Sequence, residues 1–179
     1  LSLKDQILLK KKYPFYQALD IQFRIIRDKM LNEITYKNIM LKMIKKRNIK
    51  INSLKKDIFL QKSDLIRLYK CGHIIGLHSH SHLLNIAKKK YNEQLNEYSK
   101  NKKIIKKILK LNYKQIYSMS HPMGIFNDDS FEALKSIGID LGFMATIKKR
   151  EENKINKKYF NLAIQREDCS NILKLTNDS

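Results

Sequence analysis

The chain has 179 residues, of which 42% are hydrophobic and 30% are charged. This length and composition suit one domain with a buried core, and they exclude a disordered chain and a small disulfide-stapled one. The formal net charge is +20, yet only six of the 37 basic residues are arginine and the lysines are spread along most of the chain. Because phosphate- and base-binding surfaces favour clustered arginines, we predict a solvated lysine coat and no specific nucleic-acid partner. A lysine-rich nucleic-acid-binding protein remains the further alternative.

The two cysteines lie far apart and form neither a metal-binding spacing nor a disulfide framework. The start of the chain lacks the pattern of a secretory signal. No stretch approaches the roughly 18 consecutive apolar residues that a membrane-spanning helix needs. We therefore expect a cytoplasmic protein without a membrane span.

The first seventy residues contain one proline and no glycine, which indicates helix. Apolar side chains recur there at helical spacing in three segments, residues 15–31, 36–46 and 63–69. Ser63 is the predicted N-cap of the third segment, and Gly72 stands where a helix C-terminal glycine belongs.

The pattern changes after this glycine. Short apolar runs predict four buried strands, at residues 73–78, 116–119, 139–145 and 160–164. Helices are predicted between them, one over residues 90–109 and one from a cap at Asp128 or Asp129 to Ile137. Strands that alternate with helices predict an α/β fold with parallel strands. We expect one folded unit overall, with a helical N-terminal segment over residues 1–60 and an α/β region over residues 61–179.

Four of the five histidines lie within ten residues, at His73, His78, His80 and His82. A separation of four residues, at the carboxyl end of an apolar strand, lets His78 and His82 converge on one point. Neutral imidazole is the commonest protein ligand for zinc and similar ions, and two such ligands make half a site. The alternative is a polar turn with solvated or hydrogen-bonded histidines.

Residues 64–82 resemble the second motif of the polysaccharide deacetylase family, also called NodB-like or carbohydrate esterase family 4. In that motif a strand of the type G-H-x-I-G-x-H leads into H-[ST]-x-x-H. The resemblance implies that His78 and His82 are metal ligands and that Ser79 fills the Ser/Thr position. It also implies that the metal is a divalent ion, with zinc as the first candidate.

Residues 117–128 resemble the third motif of the same family, which often has the form F-[SA]-Y-P-Y-G-x-Y-N, and residues 135–146 continue the match. The resemblance implies that Met123 contributes a backbone N–H to the oxyanion and that Pro122 and Gly124 contact substrate. His121 replaces the usual aromatic residue before the proline. It is predicted either to act as a general acid or to pack as part of the groove wall.

Residues 162–168 resemble the family's L-x-R-x-D strand, which implies substrate-binding roles for Arg166 and Asp168. The fold that the resemblance implies is an incomplete or distorted (β/α) barrel of the polysaccharide deacetylase type, with a helical N-terminal segment.

The function that the resemblance implies is that of a hydrolase: metal-assisted removal of N-acetyl groups from amino sugars of a surface polysaccharide, with an N-acetylated carbohydrate as the partner. The family's first motif, T-F-D-D-G, supplies a base and a third metal ligand, and it does not occur here. The late L-x-H motif is not evident either. We therefore expect weak metal binding and impaired activity, with a catalytically inactive relative that binds carbohydrate or a partner protein as the alternative. A further hypothesis is that the missing motif is encoded upstream of Leu1.

Overall fold

The computed structural model describes residues 2–12, 14–83, 85–112, 115–145 and 155–167. The chain divides into two compact units, Leu1–Phe59 and Leu60–Ser179. The described residues of the first unit form α-helices α1 (Leu3–Lys12), α2 (Ala18–Ile25), α3 (Glu33–Lys46) and α4 (Ile51–Ile58).

The helix predicted over residues 15–31 is only partly correct. Helix α2 continues into a π-helical turn, Ile26–Met30, in which Leu31 N–H donates to Ile26 O over 3.1 Å. Periodicity in one sequence does not distinguish this five-residue spacing from the usual four. The predicted helix over residues 36–46 begins earlier, as α3, because the Asn32 side chain accepts a hydrogen bond from Thr35 N–H at 2.8 Å.

The first unit buries little of its apolar surface. Among its described residues only Ile21 and Ile25 are buried. An ion pair joins Lys29 to Asp5, with 2.6 Å between Nζ and Oδ1. Most of the large apolar side chains of this unit therefore remain in contact with solvent.

In the second unit the described helices are α5 (Lys62–Lys70), α6 (Tyr91–Leu109) and α7 (Asp128–Ser136). The strands are β1 (Ser118–Ser120) and β2 (Leu141–Phe143). The described residues of this unit also include short 3₁₀ helices at Ile86–Lys88, Pro122–Gly124 and Lys157–Leu162. The prediction of a helix over residues 90–109 is confirmed by α6.

The caps of two helices differ from those predicted. Helix α5 has Gln61 as its N-cap, and the Asp64 carboxylate accepts a hydrogen bond from Gln61 N–H at 2.9 Å. The predicted N-cap, Ser63, lies inside the helix. Gly72 does end this helix, with a left-handed φ of 88°. Helix α7 is capped by Asn127, whose side chain accepts from Ser130 N–H at 3.0 Å, so the predicted aspartate cap is wrong.

Helices α6 and α7 pack together through buried polar side chains as well as apolar ones. Lys102 is fully buried, and its ammonium donates to Ile137 O at 2.6 Å and Gly138 O at 3.3 Å, where α7 ends. This cation lies at the negative end of the helix dipole. Gln94 is also fully buried and accepts a hydrogen bond from Ser130 Oγ at 2.6 Å.

The sheet is small and parallel, which confirms the predicted strand direction. Met119 pairs with Gly142 in the register of β1 and β2. One parallel bridge joins Leu77 to Met119, and another joins Phe143 to Ile164. Four chain segments thus run side by side in one direction, although only the central two form strands.

Two predicted strands are therefore wrong over most of their length. Residues 73–78 contribute a single bridge at Leu77, and most of residues 160–164 lies in the 3₁₀ helix before the bridge at Ile164. The described residues form an open sheet, and the incomplete or distorted barrel stays a prediction.

The buried apolar residues of the second unit form one cluster. The cluster includes Leu77, which precedes His78, and Met119, which lies in β1. Its fully or almost fully buried members include Leu77, Met119, Ile86, Phe131 and Leu162. Within the described part of the chain, no helix is both long and apolar enough to cross a membrane.

Candidate metal centre

Two loops leave the same edge of the sheet. The histidine loop (residues 78–82) follows the bridge at Leu77, and the proline loop (residues 121–124) follows β1. Parallel strands place their carboxyl ends together, and sites in α/β folds form at that edge. The sheet therefore brings the second-motif and third-motif segments of the sequence side by side.

The ring of His78 has a defined orientation. Its Nδ1 lies 2.7 Å from the backbone oxygen of Ser120, at the end of β1. Because a carbonyl oxygen can only accept, Nδ1 carries the proton and donates it, which leaves the lone pair on Nε2. A histidine that ligates a metal through one nitrogen usually donates the other N–H to such an acceptor.

The ring of His82 lies next to that of His78. The two ring centroids are 4.9 Å apart, with 59° between the ring planes. Both His82 and the buried Ser79 have left-handed backbone conformations, at φ 51° and 61°. Such conformations cost about 1–3 kcal/mol each for non-glycine residues, so the surrounding contacts must maintain them. One such contact is the bond from His82 N–H to Ser79 Oγ, at 3.1 Å.

Helix α6 also holds the histidine loop. The Glu97 carboxylate accepts hydrogen bonds from the backbone N–H groups of His80 and Ser81, at 3.2 and 2.8 Å. The Asn101 side chain accepts from His78 N–H at 3.0 Å. These side chains were not identified from the sequence, where nothing distinguishes them from other polar residues of a surface helix.

The histidine pair fits a divalent metal in part. Two adjacent imidazoles, one with its tautomer fixed for ligation through Nε2, are suitable donors for zinc, whose bonds to nitrogen measure about 2.0–2.1 Å. Among the residues that the structure describes, no third His, Cys, Asp or Glu joins them in a group that could hold a metal ion. The pair therefore supplies two of the ligands that a metal site would need, and the role of His78 and His82 as metal ligands stays a prediction.

The proline loop has the shape of a tight turn. Gly124 N–H donates to His121 O at 3.0 Å, and Ile125 N–H donates to Pro122 O at 3.1 Å. Met123 has a φ of 57° and is 56% exposed. The oxyanion role predicted for it uses its backbone N–H alone. Gly124 has a φ of 67°, and a Cβ there would lie 2.8 Å from the Ala145 Cβ, so only glycine fits.

His121 is 2% exposed and packs against Phe126, with 4.6 Å between ring centroids. Its Nε2 lies 2.7 Å from Leu162 O, so this nitrogen carries the proton and donates it. Burial lowers the pKa of His121 to about 4, although the hydrogen bond to Leu162 opposes that shift. At neutral pH the ring is therefore neutral. These contacts favour the groove-wall role, and the general-acid role stays a prediction.

Arg166 follows the bridge at Ile164, and its Nη2 donates to Ser120 Oγ at 3.0 Å. Ser120 thus bonds to His78 through its backbone oxygen and to Arg166 through its hydroxyl. Ser120 lies within the third-motif match, and the resemblance assigns it no role. Asp168, the other residue predicted from the L-x-R-x-D match, lies outside the described residues.

Several solved structures resemble this one. The deacetylase PplD of Streptococcus pyogenes in complex with acetate has a TM-score of 0.54 and 17% identity, over 96% of this chain and 84% of that chain. The deacetylase domain of BpsB from Bordetella bronchiseptica has a TM-score of 0.49 and 14% identity, over 62% and 49% of the two chains. A mutant of BA3943, described as a CE4 family pseudoenzyme with restored enzymatic activity, has a TM-score of 0.43 and 16% identity, over 78% and 57%.

At these identities the similarity to PplD shows a shared fold and no more. Curated proteins give no significant sequence match. The sequence matches the polysaccharide deacetylase family over residues 32–142, which is more than half of the chain and contains both loops of the candidate site. The chain belongs to the polysaccharide deacetylase family.

Proposed function

We propose that this chain takes part in metal-assisted hydrolysis of N-acetyl groups on amino sugars of a surface polysaccharide. The observation that carries the proposal is the histidine pair, whose ring centroids lie 4.9 Å apart at the carboxyl edge of a parallel sheet. Family membership supports the substrate class, an N-acetylated carbohydrate. The full fold proposed is an incomplete or distorted (β/α) barrel, of which the described sheet is one part.

In this proposal His78 and His82 hold a divalent ion, with zinc as the first candidate because imidazole suits it. Such an ion supplies a Lewis acid for the amide carbonyl. The protein's own contribution is orientation. Ser120 O fixes the tautomer of His78, and Ser79 Oγ holds the backbone of His82.

In this proposal the proline loop binds the acetamide oxygen on which negative charge develops. When an acetamide carbonyl is attacked, its oxygen gains charge, and a preorganised backbone N–H stabilises that charge without having to reorganise. We assign this donor to Met123, in a turn that two internal hydrogen bonds keep rigid. Pro122 and Gly124 shape the surface beside it.

Arg166 is proposed to contact the sugar. A guanidinium has five N–H donors, so Arg166 can keep its bond to Ser120 and still donate to substrate hydroxyls. Asp168 is proposed for the same purpose. His121 is proposed as part of the groove wall, because its only available proton is donated to Leu162 O.

The alternative is a catalytically inactive relative that binds carbohydrate or a partner protein. The observation that favours it lies in the sequence, which contains no T-F-D-D-G motif to supply a base and a third ligand. Of the two candidates, only the first predicts acetate release.

The test is acetate release from N-acetylglucosamine oligomers, with zinc added and with zinc removed by a chelator. We expect slow hydrolysis by the wild-type protein that requires zinc, and loss of it in His78→Ala and His82→Ala. The matched control is His80→Ala, which removes an exposed imidazole from the same loop and should retain activity. Zinc binding without any acetate release would favour the inactive relative, and equal activity in all four proteins would refute the histidine assignment.

A further inference from the structure

Helix α6 presents two polar side chains to the histidine loop. Glu97 and Asn101 are four residues apart, so they lie on the same face of the helix. Glu97 Oε2 accepts from His80 N–H and Ser81 N–H, at 3.2 and 2.8 Å. Asn101 Oδ1 accepts from His78 N–H at 3.0 Å. Three backbone N–H groups of one five-residue loop are thus bound by side chains of a single helix.

We propose that Glu97 and Asn101 are positioning residues that fix the histidine loop in the conformation in which the His78 and His82 rings meet. This inference rests on the proposed function, because it takes that ring pair to be the metal-binding unit. We call the two side chains the α6 clamp. Their hydrogen bonds are to the loop backbone, so each acts on the rings through that backbone.

The loop requires such a clamp because of its backbone conformation. Ser79 and His82 both have positive φ values, which residues with a Cβ rarely adopt unless other contacts maintain them. The bond from His82 N–H to Ser79 Oγ lies within the loop and cannot attach it to the rest of the protein. The clamp supplies that attachment, since α6 packs in the core through Tyr98 and Ile105.

A ligand role for Glu97 fits the contacts less well. One oxygen of its carboxylate already accepts two backbone hydrogen bonds. Within the described residues, Glu97 does not form a metal-holding group with the histidines. The contacts of this carboxylate are instead those of an acceptor that holds the loop backbone.

The test compares Glu97→Ala, Glu97→Gln and Asn101→Ala with the wild type by two measurements. One is hydrogen exchange of the His78, His80 and Ser81 amides in the metal-free protein. The other is zinc affinity by isothermal titration calorimetry. Asn96→Ala is the matched control, because Asn96 is exposed on the same helix.

We expect Glu97→Ala to accelerate exchange at Ser81 at least tenfold and to weaken zinc binding roughly 10- to 100-fold, the usual effect of losing a partner that orients a metal ligand. Glu97→Gln keeps an acceptor oxygen and should recover most of both quantities. Asn101→Ala should accelerate exchange at His78 and weaken zinc binding to a smaller extent. Asn96→Ala should match the wild type.

Unchanged exchange and affinity in Glu97→Ala would overturn the proposal. So would a Glu97→Gln protein as impaired as Glu97→Ala, because charge and not hydrogen bonding would then be responsible. If the wild type binds no zinc, the proposed function fails, but exchange in the metal-free protein still decides whether the clamp exists. If Glu97→Ala does not fold, Asn101→Ala decides the question by the same two measurements.

Discussion

The two units of this chain use their apolar residues differently. In the first, the described buried residues are Ile21 and Ile25, while Leu19 is 77% exposed and Ile34 is 74% exposed. In the second, a continuous cluster surrounds Phe131, which is 1% exposed. Helical periodicity predicted helices in both units, so a regular apolar pattern indicates a helix without showing what that helix packs against.

The difference matters for the candidate site because the core of the second unit leads directly into it. Leu77 precedes His78, Met119 precedes Ser120, and both Leu77 and Met119 belong to the buried cluster. Packing of these two side chains fixes the ends of the chain segments that carry the site. The site therefore depends on the stability of the second unit.

The largest predicted effect comes from removing a core ring of the second unit. Phe131 stacks on Tyr159 with 4.9 Å between centroids and contacts Phe126 at 5.0 Å. Phe131→Ala should lower the free energy of unfolding by about 3–5 kcal/mol, as buried aromatic truncations do. Leu19→Ala, in the first unit, should change it by less than about 0.5 kcal/mol. Urea denaturation followed by circular dichroism measures both.

Similar losses for the two variants would contradict this comparison. They would mean that the exposed side chains of the first unit are covered in the protein in solution. A loss below about 1 kcal/mol for Phe131→Ala would instead show that the core of the second unit is loosely packed.

The next effect concerns the buried imidazole of the proline loop. Burial lowers the pKa of His121 from 6.5 to about 4, so the folded protein binds this proton less readily than the unfolded chain. The contribution of this neutral ring to the free energy of unfolding is fully present above pH 6.5 and is lost as the pH falls toward 4. The change is about 3 kcal/mol. His121→Tyr keeps an aromatic ring but removes this titration, so its stability should fall less steeply over that range.

Urea midpoints measured at several pH values between 4 and 7 test this expectation. Other groups titrate in both proteins, so the informative quantity is the difference between wild type and variant. A difference that stays constant across this range would show that His121 is not held neutral by burial.

A smaller effect is expected from the buried ammonium of α6. Lys102→Met keeps a similar length but removes the bonds to Ile137 O and Gly138 O, so it should cost about 2 kcal/mol of unfolding free energy. Burial also lowers the pKa of Lys102, because the ammonium loses its hydration in the core. Its hydrogen bonds to the two carbonyls partly offset that loss. Lys103→Met, at the exposed neighbouring position, should change stability by less than about 0.5 kcal/mol. Equal melting temperatures for Lys102→Met and Lys103→Met would refute this role.

Local sequence patterns predicted the helices better than the strands. The helix predicted over residues 90–109 matches α6 almost residue for residue, because its apolar spacing lies within the segment itself. The strands predicted over residues 73–78 and 160–164 reduce to bridges at Leu77 and Ile164. Parallel pairing depends on a partner far along the chain, and an apolar run alone does not reveal how many residues will pair.

The same limit applies to the site. The spacing of His78 and His82 was visible in the sequence because both residues lie in one short loop. Their supporting partners were not visible, since Ser120 is 42 residues from His78, Asn101 is 23 residues away, and Glu97 is 16 residues from Ser81. Only the fold brings these groups together, so the side chains that support the candidate histidines are harder to predict than the histidines themselves.

Calorimetric titration of the metal-free protein with zinc tests the central claim most directly, using wild type, His78→Ala and His80→Ala. We predict one binding event in the wild type and the same event in His80→Ala. In His78→Ala the affinity should be at least roughly 100-fold weaker, since losing a ligand should exceed the loss of an orienting partner. Equal zinc affinity in wild type and His78→Ala would contradict this prediction.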